Sequence, residues 1–382
     1  MICLPLNSRT KRSIRMQPYL EKTYLQPAGD KNGTRIYSLA GGNFANKYYI
    51  ISNEGTRHLL ASPEVIGYDS YLAMTGATGD MLGWLKENGT VGTNADIMTI
   101  LRGGLNYPLE ECCYRNGIHV DNMDFISCER VIRNNQITGL DIRYTKLTAP
   151  QQITLMIGDI IASGETLARC IRYIIAEFKR LGGSIKNMVF FTIGGTRAIE
   201  LFEELTPEFR FHWPEFEGIT CIFYEGIFSA YKDKGVTGIS WPQIDFFWKG
   251  GVISPEFRQY VLSDDDALFE KCIIYDGGAR RYEIPDHYHE VTEYWTKIRE
   301  VADNFSFKDF LDEKLGYRTP VSQPKWLELN HYQNLDKDEM AGLYALEKDF
   351  ADKSADLSIR EIADRRLREF RKALRAYCPS LK

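Results

Sequence analysis

The chain has 382 residues, 44% of them hydrophobic and 26% charged, a balance that excludes wholesale disorder and supplies enough apolar surface for a sizeable core. Its length exceeds one ordinary compact unit, so a central domain with substantial additions is expected. A formal charge of -5 lacks the basic excess that counterion release on a phosphate backbone rewards, which excludes nucleic acid as the principal partner.

Residues 1–60, rich in Tyr, Gly and Asn, read as an irregular or β-containing extension without recognisable chemistry. At 96–101 the apolar run DIMTIL stops at Arg102-Gly103-Gly104, the pattern of a buried strand feeding a tight, ligand-facing loop. Two β-rich runs, 123–131 and 137–147, flank Asn134-Asn135-Gln136 and predict a long hairpin, a mobile arm carrying Arg130, Arg133, Arg143 and Lys146. A short buried strand at 153–157 is followed by a loop and then by Leu167, Ile171, Ile174, Phe178 and Leu181 at helical spacing. Gly182-Gly183 stops that helix where a left-handed cap is wanted, and the strand at 187–193 completes a βαβ unit, hence a parallel sheet. A helix at 198–205 and a strand at 219–224 continue the alternation. Past residue 260 the pattern turns polar and aromatic, with helices near 291–302, 337–350 and 359–377. The expected division is an extension at 1–60, an α/β core at 61–260 and a mostly helical C-terminal region at 261–382.

The chemistry concentrates in TLMIGDIIASGETLARC, which sets Asp159, Ala162, Ser163, Gly164 and Thr166 between a buried strand and a helix N-terminus. There, free amides and the positive end of the helix dipole bind an anion, hydroxyls add donors, and Gly164 lets the backbone approach closely. A phosphate monoester suits such a cradle, and Asp159 just upstream is placed to accept hydrogen bonds from sugar hydroxyls. Glu165 adds a negative charge beside the loop and is therefore expected to face solvent. The plain alternative is an ordinary strand-to-helix turn in which Ser163 merely caps the helix.

This segment resembles the signature of the type I phosphoribosyltransferases: four apolar residues, one or two acids, two apolar residues, a small residue, Thr or Ser, Gly, any residue, Thr. The resemblance covers roughly residues 60–250 and is closest in layout to uracil phosphoribosyltransferase-like members. It implies an α/β fold with a parallel sheet flanked by helices and a flexible hairpin loop. It also implies Mg2+-dependent transfer of the phosphoribosyl group of 5-phosphoribosyl-1-diphosphate (PRPP) to a nucleobase or related nitrogen acceptor, with release of pyrophosphate. On this resemblance Asp159 holds the ribose, and Ile160, Ala162, Ser163, Gly164, Glu165 and Thr166 line the loop around the 5'-phosphate. Leu101-Arg102-Gly103-Gly104-Leu105 looks like the family's pyrophosphate loop, which makes Arg102 and Asp159 the catalytic pair and adds Gly103 to the binding set. The hairpin with Arg130 and Arg133 looks like the loop that closes over substrate and excludes water. The segment 235–248 takes the place of the base-recognition hood, with Phe246, Phe247 or Trp248 stacking on the base. Mg2+ is implied to arrive on PRPP, with no protein metal ligand, and a homodimer is a further expectation.

Two departures from the family pattern stand out. Gly158 occupies the place where many members carry a first acid, leaving Asp159 as the sole carboxylate for ribose, and Ala162 stands where the hypoxanthine-guanine enzymes place an aspartate. Gly158 and the long tail keep open a second class of function, a non-catalytic regulator that binds PRPP or a nucleotide.

The remaining signals read as structural. His287-Tyr288-His289-Glu290 lacks the HExxH spacing of a zinc site, Cys112-Cys113 lack a histidine partner and read as packed thiols, and Thr196-Arg197 reads equally as a helix start or a ligand contact. Arg12, Arg15, Arg365, Arg366, Arg368, Arg371 and Arg375 read as solvated faces. Eight cysteines without a CxxC pair, the short opening MICLPL and no apolar run near the roughly 18 residues of a membrane span lead to expected reduced thiols, no membrane partner and a cytoplasmic location.

Overall fold

The computed structural model describes residues 19–101, 103–133, 136–229, 235–239, 247–270 and 279–377, with the backbone alone at 129–133, 136–140 and 247. In chain order the elements are β1 (Tyr24–Lys31), β2 (Thr34–Ala40), β3 (Lys47–Ser52), α1 (Glu54–Ala61), α2 (Gly67–Glu87), β4 (Asn94–Leu101), α3 (Leu109–Arg115), β5 (His119–Arg133) and β6 (Gln136–Lys146). There follow β7 (Ile153–Gly158), α4 (Glu165–Leu181), β8 (Ile185–Gly195), α5 (Arg197–His212), β9 (Gly218–Ser229), β10 (Phe247–Ile253) and α6 (Pro255–Val261). The chain closes with α7 (Ile284–Val301), α8 (Phe307–Leu315), α9 (Gln323–Leu329), α10 (Lys337–Lys353) and α11 (Ile359–Tyr377).

The strands form one sheet in the order β1-β2-β3-β9-β8-β7-β4-β5-β6, with β10 antiparallel along β9. From β3 to β5 every pairing is parallel, and the outer pairs β1-β2, β2-β3 and β5-β6 are antiparallel. Strands β7 and β9 are buried along their whole length, as strands covered by helices on both faces must be, and this is why they read as continuous apolar runs. One face carries α2 and α3, with Met81, Leu82 and Cys112 packed with Ile97 and Met156. The other carries α4 and α5, with Ile171, Phe178, Phe202 and Phe209 packed with Leu155 and Phe190. The expected mixed α/β architecture, a central sheet flanked by helices with a long hairpin at one edge, is what forms.

The N-terminal strands continue this sheet, with Tyr48 of β3 opposite Cys221 of β9. Glu203 of α5 holds them down, accepting from Asn46 Nδ2 at 2.9 Å and from the Tyr48 hydroxyl at 2.8 Å. Helices α7, α8 and α11 pack on the α2 side, burying Trp295, Phe310 and Phe370 in the same cluster as Met81, whereas Trp326 of α9 and Met340 of α10 join the cluster of α4 and α5. Arg258 of α6 and Glu347 of α10 form a buried ion pair at 2.6 Å, with Arg258 also donating to the Tyr332 hydroxyl at 3.2 Å. Arg366 departs from the solvated face expected for it. It points inward to Glu270, Glu64 and Glu369, because the buried Glu270 carboxylate demands a cation. Among the described residues no helix is long and apolar enough to cross a membrane.

Candidate functional site

The winding of the sheet sets the site. From β4 the chain proceeds through α3 to β5 on one side, whereas from β7 it proceeds through α4 to β8 and through α5 to β9 on the other. Helix α3 lies on one face of the sheet and α4 and α5 on the opposite one. The winding therefore reverses between β4 and β7, which are neighbours with Ile97 opposite Met156. Loops leaving the carboxyl ends of two strands part there in opposite directions and open a crevice, the preferred ligand position in open α/β sheets. The two segments singled out from sequence, 101–105 at the end of β4 and 159–166 after β7, leave the strand ends that flank that crevice.

The loop after β7 keeps sheet-like bonds over its first half. Asp159 N–H donates to Phe191 O at 3.1 Å, Ile161 N–H to Ile193 O at 3.3 Å, and Gly195 N–H back to Ile161 O at 3.0 Å. At Gly164 it turns into α4 with φ +71°, a left-handed conformation that favours glycine. No side-chain hydrogen bond caps α4, so Ser163 does not play the capping role of the plain alternative. Ser163 and Glu165 are exposed, Asp159, Ile160, Ala162, Gly164 and Thr166 are half-buried, and the first turn of α4 opens to solvent. Glu165 faces water as its charge requires. The Asp159 carboxylate accepts from the Ile160 amide at 2.8 Å, which steadies it at the start of the loop. A Cβ on Gly164 would stand 3.5 Å from Arg197 Cγ and 3.4 Å from Leu201, so the first turn of α5 forms one wall of the turn. Arg197 is paired there with Glu200 at 2.5 Å and Glu204 at 3.3 Å.

The two loops are joined through Gly158. Its amide donates to Asn106 Oδ1 at 2.7 Å, and the buried Asn106 side chain reaches Gly103 O at 3.4 Å. A Cβ at Gly158 would lie 2.5 Å from Leu105 O, 2.6 Å from Leu105 C and 3.0 Å from Asn106 N. The space for a side chain at 158 is thus filled by the backbone of the other loop. Gly103 is equally confined, its would-be Cβ 2.8 Å from Ile100 O and 3.1 Å from Gly158 O. Asn106 was not singled out from sequence, and only its place four residues beyond Arg102 hinted at it.

Arg102, Phe246, Asn134 and Asn135 lie outside the described residues; Arg130 and Arg133 sit in β5 opposite Leu140 and Gln136, their side chains outside the description. The β5-β6 hairpin itself has the length expected of the arm. Trp248 does not serve as a stacking surface: it is 4% exposed, with the Arg258 guanidinium 4.9 Å over its ring, because β10 folds back along β9 and turns it into the core. Elsewhere His287 and the Cys112-Cys113 pair pack into the core. His287 Nε2 faces Pro63 O at 2.6 Å, and burial pushes its pKa down to about 3. Burial pushes the Cys112 and Cys113 thiols up to about 12, which makes them inert packing groups. Among the described residues no group of three or more His, Cys, Asp or Glu is arranged to hold a metal.

No family model matches the sequence, and no curated protein matches it. Among solved structures the chain is similar to a hypoxanthine phosphoribosyltransferase from Staphylococcus aureus, at 16% identity over 32% of this chain and 64% of that one, with a TM-score of 0.26. It is also similar to a hypoxanthine-guanine phosphoribosyltransferase from Bacillus anthracis, at 17% identity over 34% and 72% of the two chains and a TM-score of 0.25. A third similarity is to the hypoxanthine-guanine phosphoribosyl transferase of L. donovani, at 17% identity over 36% and 78% and a TM-score of 0.28. The chain spans less than two thirds of the length of the first of these. The α/β layout described above rests on the strand order of this chain itself.

Proposed function

We propose that this protein binds PRPP and transfers its phosphoribosyl group to a nitrogen of a nucleobase or related heterocycle, releasing pyrophosphate. The observation that carries the reading is an uncapped, solvent-open helix start with hydroxyls at 163 and 166, beside a carboxylate at 159, at the point where the sheet reverses its winding. The amides of 163–166 and the α4 dipole favour the dianionic 5'-phosphate. The ribose hydroxyls then donate to Asp159, whose negative charge also favours the cation-like sugar centre formed as the bond to diphosphate breaks. Holding phosphate and ribose together fixes that centre against the acceptor nitrogen, which is the larger part of catalysis where no protein nucleophile is needed. Arg102 is assigned to the diphosphate by its order after β4. The donor set fits Mg2+ carried on PRPP, because Asp159 is the loop's carboxylate and Gly158 leaves no room for a second; when bound, the ion supplies neutralisation of the departing diphosphate charge.

The same filled position at Gly158 favours one alternative, a regulator that binds PRPP without turning it over. Calorimetry with PRPP and Mg2+ tests the shared site. Asp159→Asn, and Ser163→Ala combined with Thr166→Ala, are each expected to weaken affinity at least tenfold, and unchanged affinity refutes both readings. Pyrophosphate release on mixing PRPP with a panel of bases separates them: turnover supports the transferase, and tight binding without product supports the regulator.

A further inference from the structure

We propose that Cys128 and Cys170 form a reversible disulfide that ties the β5-β6 hairpin to the phosphate-loop helix. The two sulfurs lie 3.2 Å apart although the residues are 42 positions apart in the chain. Cys170 is fully buried on the sheet-facing side of α4, one turn past Thr166, and Cys128 is half-buried on β5.

The place of Cys128 gives the bond mechanical meaning. Parallel pairing of β5 with β4 ends at Ser127 opposite Leu101, and the β5-β6 register shifts between Ser127 and Cys128. Before this point β5 is held on both sides within the sheet. Beyond it, its described pairing is with β6. Cys128 therefore marks the root of the arm, where a bulge lets a strand bend. The other strand of the arm meets α4 as well, through the Thr145 hydroxyl and the Tyr173 hydroxyl at 3.2 Å. Among the described contacts the root meets α4 through the sulfur pair and through the Thr145 and Tyr173 hydroxyls, and the sulfur pair is the one that can become covalent.

With glutathione disulfide as oxidant the chemistry balances. The more accessible Cys128 thiolate attacks one sulfur of glutathione disulfide and releases one glutathione thiolate. Cys170 Sγ then attacks Cys128 Sγ and releases the second, so two protein thiols are oxidised and one glutathione disulfide is reduced to two thiols. The Cys170 thiol is held well above its ordinary pKa by its contact with the Cys128 S–H, by burial and by the Asp159 charge. Attachment of glutathione at Cys128 removes the first of those causes, which suits Cys170 to the second, resolving step.

The consequence for ligand rests on the function proposed above: an arm pinned at its root cannot swing over PRPP. The 382-residue chain is incubated with glutathione disulfide, alkylated in denaturant, digested without reduction and read by mass spectrometry. A linked peptide pair containing Cys128 and Cys170, lost on adding dithiothreitol and in Cys128→Ser, is expected. Recovery of the two cysteines on separate peptides, alkylated or glutathionylated, overturns the proposal. Slower hydrogen exchange in strands 128–146 of the oxidised protein, with no such change in oxidant-treated Cys128→Ser, is the expected mark of the tie on the arm, and equal exchange rates overturn it. Calorimetry then compares PRPP affinity, expected at least tenfold weaker after oxidation, restored by dithiothreitol, and insensitive to oxidant in Cys128→Ser. A linked pair with unchanged affinity overturns the gating of the arm. Failure of the reduced protein to bind PRPP removes the proposed function while leaving the disulfide standing on the peptide result.

Discussion

Gly158 offers the sharpest test of how the two loops fit together. Its φ is not in the left-handed region, so what it supplies is space rather than conformational freedom. In Gly158→Ala the new methyl falls 2.5 Å from Leu105 O and 2.6 Å from Leu105 C, backbone atoms that cannot rotate aside. The 103–106 loop must shift, at an overpacking cost of about 1–3 kcal/mol. The shift also weakens the Gly158 N–H to Asn106 Oδ1 bond, which contributes about 1 kcal/mol. With an unfolding entropy of about 2 cal/mol/K per residue, the whole chain gives roughly 0.8 kcal/mol/K, so a combined loss of about 2–4 kcal/mol lowers the melting temperature by roughly 3–5 °C. Gly158→Asp suffers the same clash with a larger, charged side chain. Differential scanning calorimetry of Gly158→Ala and Asn106→Ala reads the effect directly. An unchanged melting temperature in Gly158→Ala refutes the claim that the first loop occupies the side-chain space at 158.

Two further perturbations probe buried charge. Arg258→Met leaves the buried Glu347 carboxylate without its cation and is expected to cost about 3–5 kcal/mol; adding Glu347→Gln recovers part of it, and a single variant that melts like the parent refutes the pairing. Glu225 is fully buried at φ +63°, accepts from Asn53 N–H at 3.1 Å and Ser254 Oγ–H at 2.9 Å, and is raised by burial from its ordinary 4.5 to about 7. A raised folded pKa contributes stability that is complete below the unfolded value and is lost as pH rises through the folded one. Measured against Glu225→Gln, the parent is therefore expected to lose roughly 3 kcal/mol as pH climbs from the unfolded to the folded value. Melting temperatures of the two proteins across that range check it, and a gap that widens in the opposite direction refutes the assignment.

Much of the core was legible because its signals are local. Strands β7, β8 and β9, helix α4 with its glycine stop at Gly182 (φ +81°), and the hairpin at β5 and β6 all announce themselves by the period of their apolar residues or by turn chemistry within a few positions. The loop proposed to hold phosphate is likewise a local pattern, since a helix start, a glycine and two hydroxyls within five residues need no distant partner. Helix α2 passed unread: Gly67, Gly76, Gly79 and Gly83 blur its periodicity. Gly79 gives its carbonyl to Asn116 Nδ2 at 2.8 Å, and Gly83 leaves room for Asn116, whose Oδ1 lies 2.5 Å from where a Cβ would stand.

By itself the sequence marked strands β4 to β9 and helices α4, α5, α7, α10 and α11, implied parallel pairing at the centre of the sheet, and placed Asp159, Ser163, Gly164 and Thr166 in a strand-to-helix loop. Tertiary structure alone decided that β4 lies beside β7 and so brings the two loops to one crevice, that the Leu105 backbone fills the space of a side chain at 158, that Trp248 and Arg366 turn inward, and that Cys128 meets Cys170. Periodicity encodes how each segment is buried but not which segment lies against it. Lateral neighbours are chosen by the packing of the whole sheet, between residues tens of positions apart, and no local pattern carries that choice.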